Sequence, residues 1–358
     1  MGYESTSSTL IAATIASSAA VAYFLFFKKP MMTKEKAFAE VKLPARFVVG
    51  SFTNKRSQSI HTVHLPRKDE SKAANSMLFL VHGIAEHCSR AGYIRLYETL
   101  SEAGVDVYAL DHHGHGCSDG EPRGFAYKLD HFVEDLEEYV DLVNKKNYTD
   151  KEQTPPPLIL MGQSMGGLLS LLTTLHLGND RVAGIILAAP ALGVNMSLEL
   201  KVQKFFAPVI NTIAPQARIV DAVDPWDMSR NKEAVQQYID DPLTQTGKLV
   251  ARTAIGVSGG FEVVKQRRGE ITVPILALHG TGDKCTWPKA TEEFFNNVGT
   301  PIAKKRYLKL PGMYHELLEE PETDEILKYI TVFASSGGEE FAKVDGNESG
   351  GVVDVVFK

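Results

Sequence analysis

One pentapeptide limits what this chain can become: Gly162-Gln163-Ser164-Met165-Gly166. Ahead of it, Leu158-Ile159-Leu160-Met161 follows three prolines and reads as a buried strand. Behind it, Gly167-Leu168-Leu169-Ser170-Leu171-Leu172 reads as the first turns of a buried helix. A G-x-S-x-G turn between strand and helix is sharp, and its glycines let neighbouring backbones come close. The helix N-terminus then directs partial positive charge at the serine, where negative charge develops in acyl transfer. The competing reading is a glycine-rich turn with an inert serine; the strand before and the helix after weigh against it.

The rest of the chain repeats the strand–helix alternation. Strands are expected at Arg46 to Phe52, Ile60 to Leu65, Met77 to Val81, Val105 to Leu110, Val182 to Ala188, Val273 to Leu278 and Lys305 to Leu310. Helices are expected at Tyr93 to Ala103, Phe132 to Asn144, Ala290 to Asn297 and Glu322 to Phe333. Met77 to Val81 is apolar throughout, which suits a sheet covered on both faces. Such alternation implies an α/β fold, a mostly parallel central sheet with helices on both faces. Ligands then sit beyond the carboxyl ends of the strands, where His82, Asp111, Ser164 and Asp283 fall. From about 191 to 270 the alternation breaks into prolines, Phe205-Phe206, Trp226 and mixed apolar helices, which reads as an inserted helical cap. The α/β domain spans 44–334, and the Gly- and Glu-rich tail 335–358 is expected to lack fixed structure, with an apolar end at Val352 to Phe357 that stands apart from it.

A serine hydroxyl is a poor nucleophile, so it needs a base, and the base needs an orienting acid. In a fold of this kind the order along the chain is serine, acid, histidine. Asp283 follows its strand through His279-Gly280-Thr281-Gly282, and His315 follows its strand through Pro311-Gly312-Met313-Tyr314. Taken alone, Asp283 reads as a turn aspartate and His315 as a helix-cap histidine. In that order, each at a strand end, they read as the catalytic partners of Ser164. The developing oxyanion needs two donors. One is the N–H of Met165, the residue after the nucleophile; the other is the N–H of Ile84, next after the His82-Gly83 turn. His112, His113, His115 and His279 read as loop supports, and the chemistry needs neither metal nor cofactor.

The net charge of −6 gives no case for a nucleic-acid partner. Three widely spaced cysteines, Cys88, Cys117 and Cys285, form no disulfide pattern and suit a reducing compartment. After a short tail, 1–9, the stretch from Leu10 to Phe27 holds 18 residues without a charge. As a helix it would span about 27 Å, enough for a bilayer core. Lys28, Lys29, Lys34 and Lys36 all follow it, in or beside a linker at 28–43. The expectation is a single-pass membrane anchor at 10–27, with the remaining chain on the cytosolic side.

Four motifs together resemble the monoacylglycerol lipase family of α/β-hydrolases: His82-Gly83-Ile84-Ala85-Glu86-His87, Asp111-His112-His113-Gly114-His115-Gly116-Cys117-Ser118, Gly162-Gln163-Ser164-Met165-Gly166-Gly167 and Gly312-Met313-Tyr314-His315. Ser229-Arg230-Asn231-Lys232 and Asp241-Pro242-Leu243 are similar to the family as well, and the resemblance covers about residues 45 to 335. It implies a serine hydrolase acting on a monoacylglycerol or similar single-chain lipid ester. Lysophospholipases and hydroxycinnamoyl ester esterases stand close by, and a ligand-binding receptor on the same fold is the non-enzymatic alternative. The resemblance also implies an oxyanion donor at Ile84, contacts to the glycerol hydroxyls from Glu86 and Arg90, and an amphipathic cap that rests on membranes.

Overall fold

The computed structural model describes residues 43–193, 209, 211–220, 224–343 and 350–355. Its centre is a nine-stranded sheet, made of β1 (Val48–Thr53), β2 (Ser59–Leu65), β3 (Ser76–Val81), β4 (Val105–Leu110), β5 (Leu158–Gln163), β6 (Gly184–Ala188), β9 (Ile275–Gly280), β10 (Lys305–Leu310) and β11 (Gly351–Asp354). The strand order is β1-β2-β4-β3-β5-β6-β9-β10-β11. β1 and β2 pair antiparallel, as do β2 and β4, and all later pairings are parallel.

The apolar run in β3 serves two cores. Met77, Phe79 and Val81 join one buried cluster, while Leu78 and Leu80 join the other. On the first face lie α2 (Asp130–Asn147) and α3 (Met165–Leu177), and on the second α1 (Ala91–Glu102) and α7 (Thr323–Ser335). In α2, Phe132, Val133, Leu136, Val140 and Val143 are all buried, the stripe that their spacing predicts. α6 (Pro288–Asn297) packs beside β9 and β10. Between β6 and β9, the described residues form β7 (Arg218–Val220), α4 (Lys232–Asp240), β8 (Leu249–Val250) and α5 (Ala251–Arg267), with β7 and β8 paired antiparallel.

Two expectations are corrected. The tail from 335 contributes β11, which pairs parallel with β10 from Arg306↔Gly351 to Lys309↔Asp354. Its apolar residues Val352 and Val353 give the sheet edge a strand that the surrounding glycines and glutamates hide. The membrane reading is corrected as well: among the described residues no helix is long and apolar enough to cross a membrane. The longest of them, α2, has 18 residues but is amphipathic, with acids and lysines opposite its buried stripe. The stretch 10–27 lies outside the described residues, and the expected cytosolic placement, which rested on it, falls with the anchor.

Candidate active site

Ser164 follows the last residue of β5 and caps α3 at φ 55° and ψ −119°, a left-handed conformation that a non-glycine residue adopts at a cost. The turn is held because nothing larger fits around it. A Cβ on Gly166 would stand 1.8 Å from the Val81 carbonyl oxygen, and one on Gly162 would stand 2.1 Å from the Gly166 oxygen. The Ser164 N–H donates to Ala188 O on β6 at 3.0 Å, and the Ser164 carbonyl accepts from Ala191 N at 2.8 Å. Gln163 ties the elbow to the histidine loop, its Nε2 donating to His315 O at 2.9 Å.

Asp283 and His315 leave the neighbouring strand ends β9 and β10. Their loops are braided: Thr281 N donates to Leu310 O and Gly282 N to Met313 O, each at 2.9 Å. His315 Nδ1 then donates to Asp283 Oδ2 at 2.8 Å, and both side chains are buried. Burial opposes the charged form of each group, but the pair overrides it. The His315 imidazolium and the donors around it hold Asp283 well below the usual carboxylate range, and Asp283 in turn raises His315. Ser164, His315, Gly83, Ile84 and Glu86 line one cavity, with Pro225, Met228, Tyr238 and Leu249 arriving from the residues between β6 and β9. Among the described residues no hydrogen bond joins Ser164 to His315, and the two line the same cavity.

Ile84 and Met165 flank the serine. Among the described residues neither backbone N–H finds a hydrogen-bond acceptor. The Ile84 loop is fixed from several sides. Gly83 N donates to Glu86 Oε1, Ala85 sits at φ 67°, and Gln245 N donates to Ala85 O at 2.8 Å. His82 locks the base of the loop, donating from Nδ1 to Gly83 O at 2.7 Å and accepting at Nε2 from His112 N at 2.9 Å.

Glu86 and Arg90 separate. Glu86 lines the serine's cavity, whereas Arg90 lies behind it and lines a smaller neighbouring one. Glu86 Oε2 pairs with Arg90 Nη1, and Tyr93 OH donates to Glu86 Oε1 at 2.8 Å. Arg90 Nη1 also donates to Glu316 Oε2 at 2.8 Å.

Sequence reasoning missed two residues here. His279 was read as a general loop support, yet its Nε2 donates to Asp283 Oδ2 at 3.1 Å while its Nδ1 accepts from Thr291 Oγ1 at 2.8 Å. The compact His279-Gly280-Thr281-Gly282-Asp283 turn was the available signal. Glu316 gave none, because its partner Arg90 is 226 residues away.

Two triplets bring potential metal-ligand atoms within 4.8 Å: His61, Asp111 and Cys117, and Asp283, Cys285 and His315. In each the carboxylate is already engaged by N–H donors. Asp111 accepts from Cys88 N and Cys117 N, and Asp283 accepts from Cys285 N, Thr286 N and His315. Hydrogen bonding accounts for both arrangements.

Known proteins share this build. The family model described as serine aminopeptidase, S33, matches residues 72–322. A monoacylglycerol lipase of Mycolicibacterium smegmatis is 32% identical over 256 residues, which cover 71% of this chain and 86% of the relative. A monoglyceride lipase of Rattus norvegicus is 30% identical over 267 residues, 74% of this chain and 84% of the relative. Among solved structures, the monoacylglycerol lipase of Paleococcus ferrophilus superposes with a TM-score of 0.66 at 27% identity, covering 78% of this chain and 99% of that one. Likeness of this extent in both sequence and fold means that the chain belongs to the monoacylglycerol lipase family of α/β-hydrolases.

Proposed function

We propose that the chain is a serine hydrolase that splits a monoacylglycerol into fatty acid and glycerol through an acyl-enzyme on Ser164. The observation that carries this reading is the 2.8 Å bond from His315 to Asp283 beside a cavity that His315 shares with Ser164. His315 Nε2 takes the Ser164 proton as Oγ attacks the ester carbonyl. Asp283, held ionised, fixes the tautomer and steadies the imidazolium that forms. The N–H groups of Ile84 and Met165 receive the oxyanion. His315 then protonates the departing alcohol, and water attacking the acyl-enzyme releases the fatty acid.

The described residues between β6 and β9 act as a cap over this centre, supported by the cavity-lining residues they contribute, among them Pro225, Met228, Tyr238 and Leu249. Glu86 faces the alcohol, and Arg90 acts by holding Glu86. The proteins named as monoacylglycerol lipases above support the ester reading over peptide cleavage.

Labelling of Ser164 by a fluorophosphonate probe, with a burst of product from a chromogenic ester, separates a hydrolase from a receptor on the same fold. A panel of monoacylglycerol, diacylglycerol, lysophospholipid and hydroxycinnamoyl ester tests the substrate. Preference for the last two over monoacylglycerol overturns the substrate reading and leaves the hydrolase standing.

A further inference from the structure

The residue after the histidine base is an acid. Glu316 is buried, lines the same cavity as Ser164 and His315, and shares Arg90 Nη1 with Glu86. Glu319 adds a third carboxylate, 3.9 Å from Arg90 Nη2. One guanidinium therefore faces three acids. The described residues that line the serine's cavity include Glu86 and Glu316 and no lysine or arginine.

From this charge balance we infer that the site excludes esters whose alcohol carries a negative charge, and that Glu316 is the specificity-determining residue. This rests on the ester-hydrolase reading above and narrows its substrate class to uncharged alcohols such as a polyol. The alcohol is the part that receives the proton from His315, so it lies nearest the side chain that follows His315. A phosphate or carboxylate there must leave water for a weakly polar cavity, where like charges repel more strongly than in solvent. No lysine or arginine of the described lining repays that loss, and Arg90 is already engaged by its acids. Burial, resisted by Arg90 and reinforced by the Glu86 carboxylate, holds Glu316 above the ordinary glutamate range. Specificity then arises from repulsion of the wrong substrate rather than from a new contact to the right one.

The test compares a 1-acylglycerol with its 3-phosphate, matched in acyl chain, for the wild type and for Glu316→Gln and Glu316→Ala. The expected wild-type kcat/KM is about 100-fold lower for the phosphate ester, and either variant narrows that ratio about tenfold, the scale of one charge contact. Thermal melts establish which variants are folded. Comparable wild-type rates on both esters overturn the inference, as does an unchanged ratio in a folded variant. If the wild type cleaves 4-nitrophenyl butyrate but no glycerol ester, the monoacylglycerol reading fails separately. The charge rule is then read on neutral and carboxylate-bearing aryl butyrates, where equal rates overturn it.

Discussion

His279 and His315 meet on one atom, lying 3.1 Å and 2.8 Å from Asp283 Oδ2. They differ in charge state. Burial lowers His279, so it stays a neutral donor, whereas Asp283 raises His315, the histidine that must gain and lose a proton. His279 thereby fixes the carboxylate that fixes the base. Loss of one hydrogen bond to a buried charge costs about 1.5–3 kcal/mol, or about ten- to a hundredfold in rate if it is felt in the transition state. His279→Phe is expected to lower kcat by about tenfold or more. His279→Gln, which can still donate, recovers part of that loss. Equal activity of the Phe variant and the wild type at matched folding would remove the positioning role.

Ser164, Asp283 and His315 are expected to behave as one unit. Ser164→Ala, Asp283→Asn and His315→Ala should each lower kcat at least about 10³-fold, and the double variants should be scarcely worse than the singles. Steady-state kinetics beside thermal melts check this. Near wild-type turnover by folded Asp283→Asn would mean that another acid orients His315.

The pH profile follows from the same pair. Burial favours neutral His315, but the Asp283 carboxylate outweighs it and raises the group above 6.5. The base must be neutral in the free enzyme, so kcat/KM should fall on the acid side with a midpoint above 6.5. Asp283→Asn removes the largest raising influence, so the midpoint of its residual activity should move down. The stability signs are opposite. The raised His315 contributes stability that is present below its unfolded value and lost as pH rises through the folded one. The depressed Asp283 contributes stability present above the ordinary carboxylate range and lost as pH falls below it. The gap in melting temperature between wild type and Asp283→Asn, followed from pH 9 down to about pH 2, should therefore begin to narrow only below the ordinary carboxylate range, and a gap that stays constant to the lowest pH would contradict the linkage.

Glu86 does more than face a substrate. It accepts from Gly83 N and Tyr93 OH and pairs with Arg90. Glu86→Ala should cost about 3 kcal/mol of stability, since it leaves buried partners unsatisfied. It should also slow a simple ethyl ester and a monoacylglycerol together, because the Ile84 loop loses its anchor. Glu86→Gln keeps an acceptor for Gly83 and should recover the ethyl ester more than the monoacylglycerol. Full activity of Glu86→Ala on ethyl esters would show that the loop holds without it.

Local pattern carried the fold, and distance limited the site. The bounds expected for β4 and β10 match the observed Val105–Leu110 and Lys305–Leu310, where continuous apolar or alternating runs end at clear turns. β11 was missed because four residues in a polar tail become a strand only by pairing with β10. Ser164, Asp283 and His315 were legible because chain order and strand ends mark them. The Arg90–Glu316 pair was not, since nothing near position 90 announces a partner near 316. Glu86 and Arg90 came together only through the family resemblance, and the cavities separate the one that lines the serine's cavity from the one behind it.

Two glycines near the site separate crowding from backbone strain. A Cβ on Gly166 would stand 1.8 Å from Val81 O and 2.8 Å from His82 O, backbone atoms of the central strand and the Ile84 loop that cannot move without shifting the sheet. Gly312, in the turn before His315, sits at φ 71° with nothing within 4 Å of such a Cβ. Gly312→Ala therefore meets only the left-handed penalty, about 1–2 kcal/mol, and should keep most of the activity with a lowered melting temperature. Gly166→Ala must push β3 from the elbow and should yield no soluble folded protein, or a folded one with Ser164 displaced and unreactive toward a fluorophosphonate. A folded Gly166→Ala with normal labelling would mean that the elbow tolerates a wider separation from β3 than the close approach of Gly166 to Val81 implies.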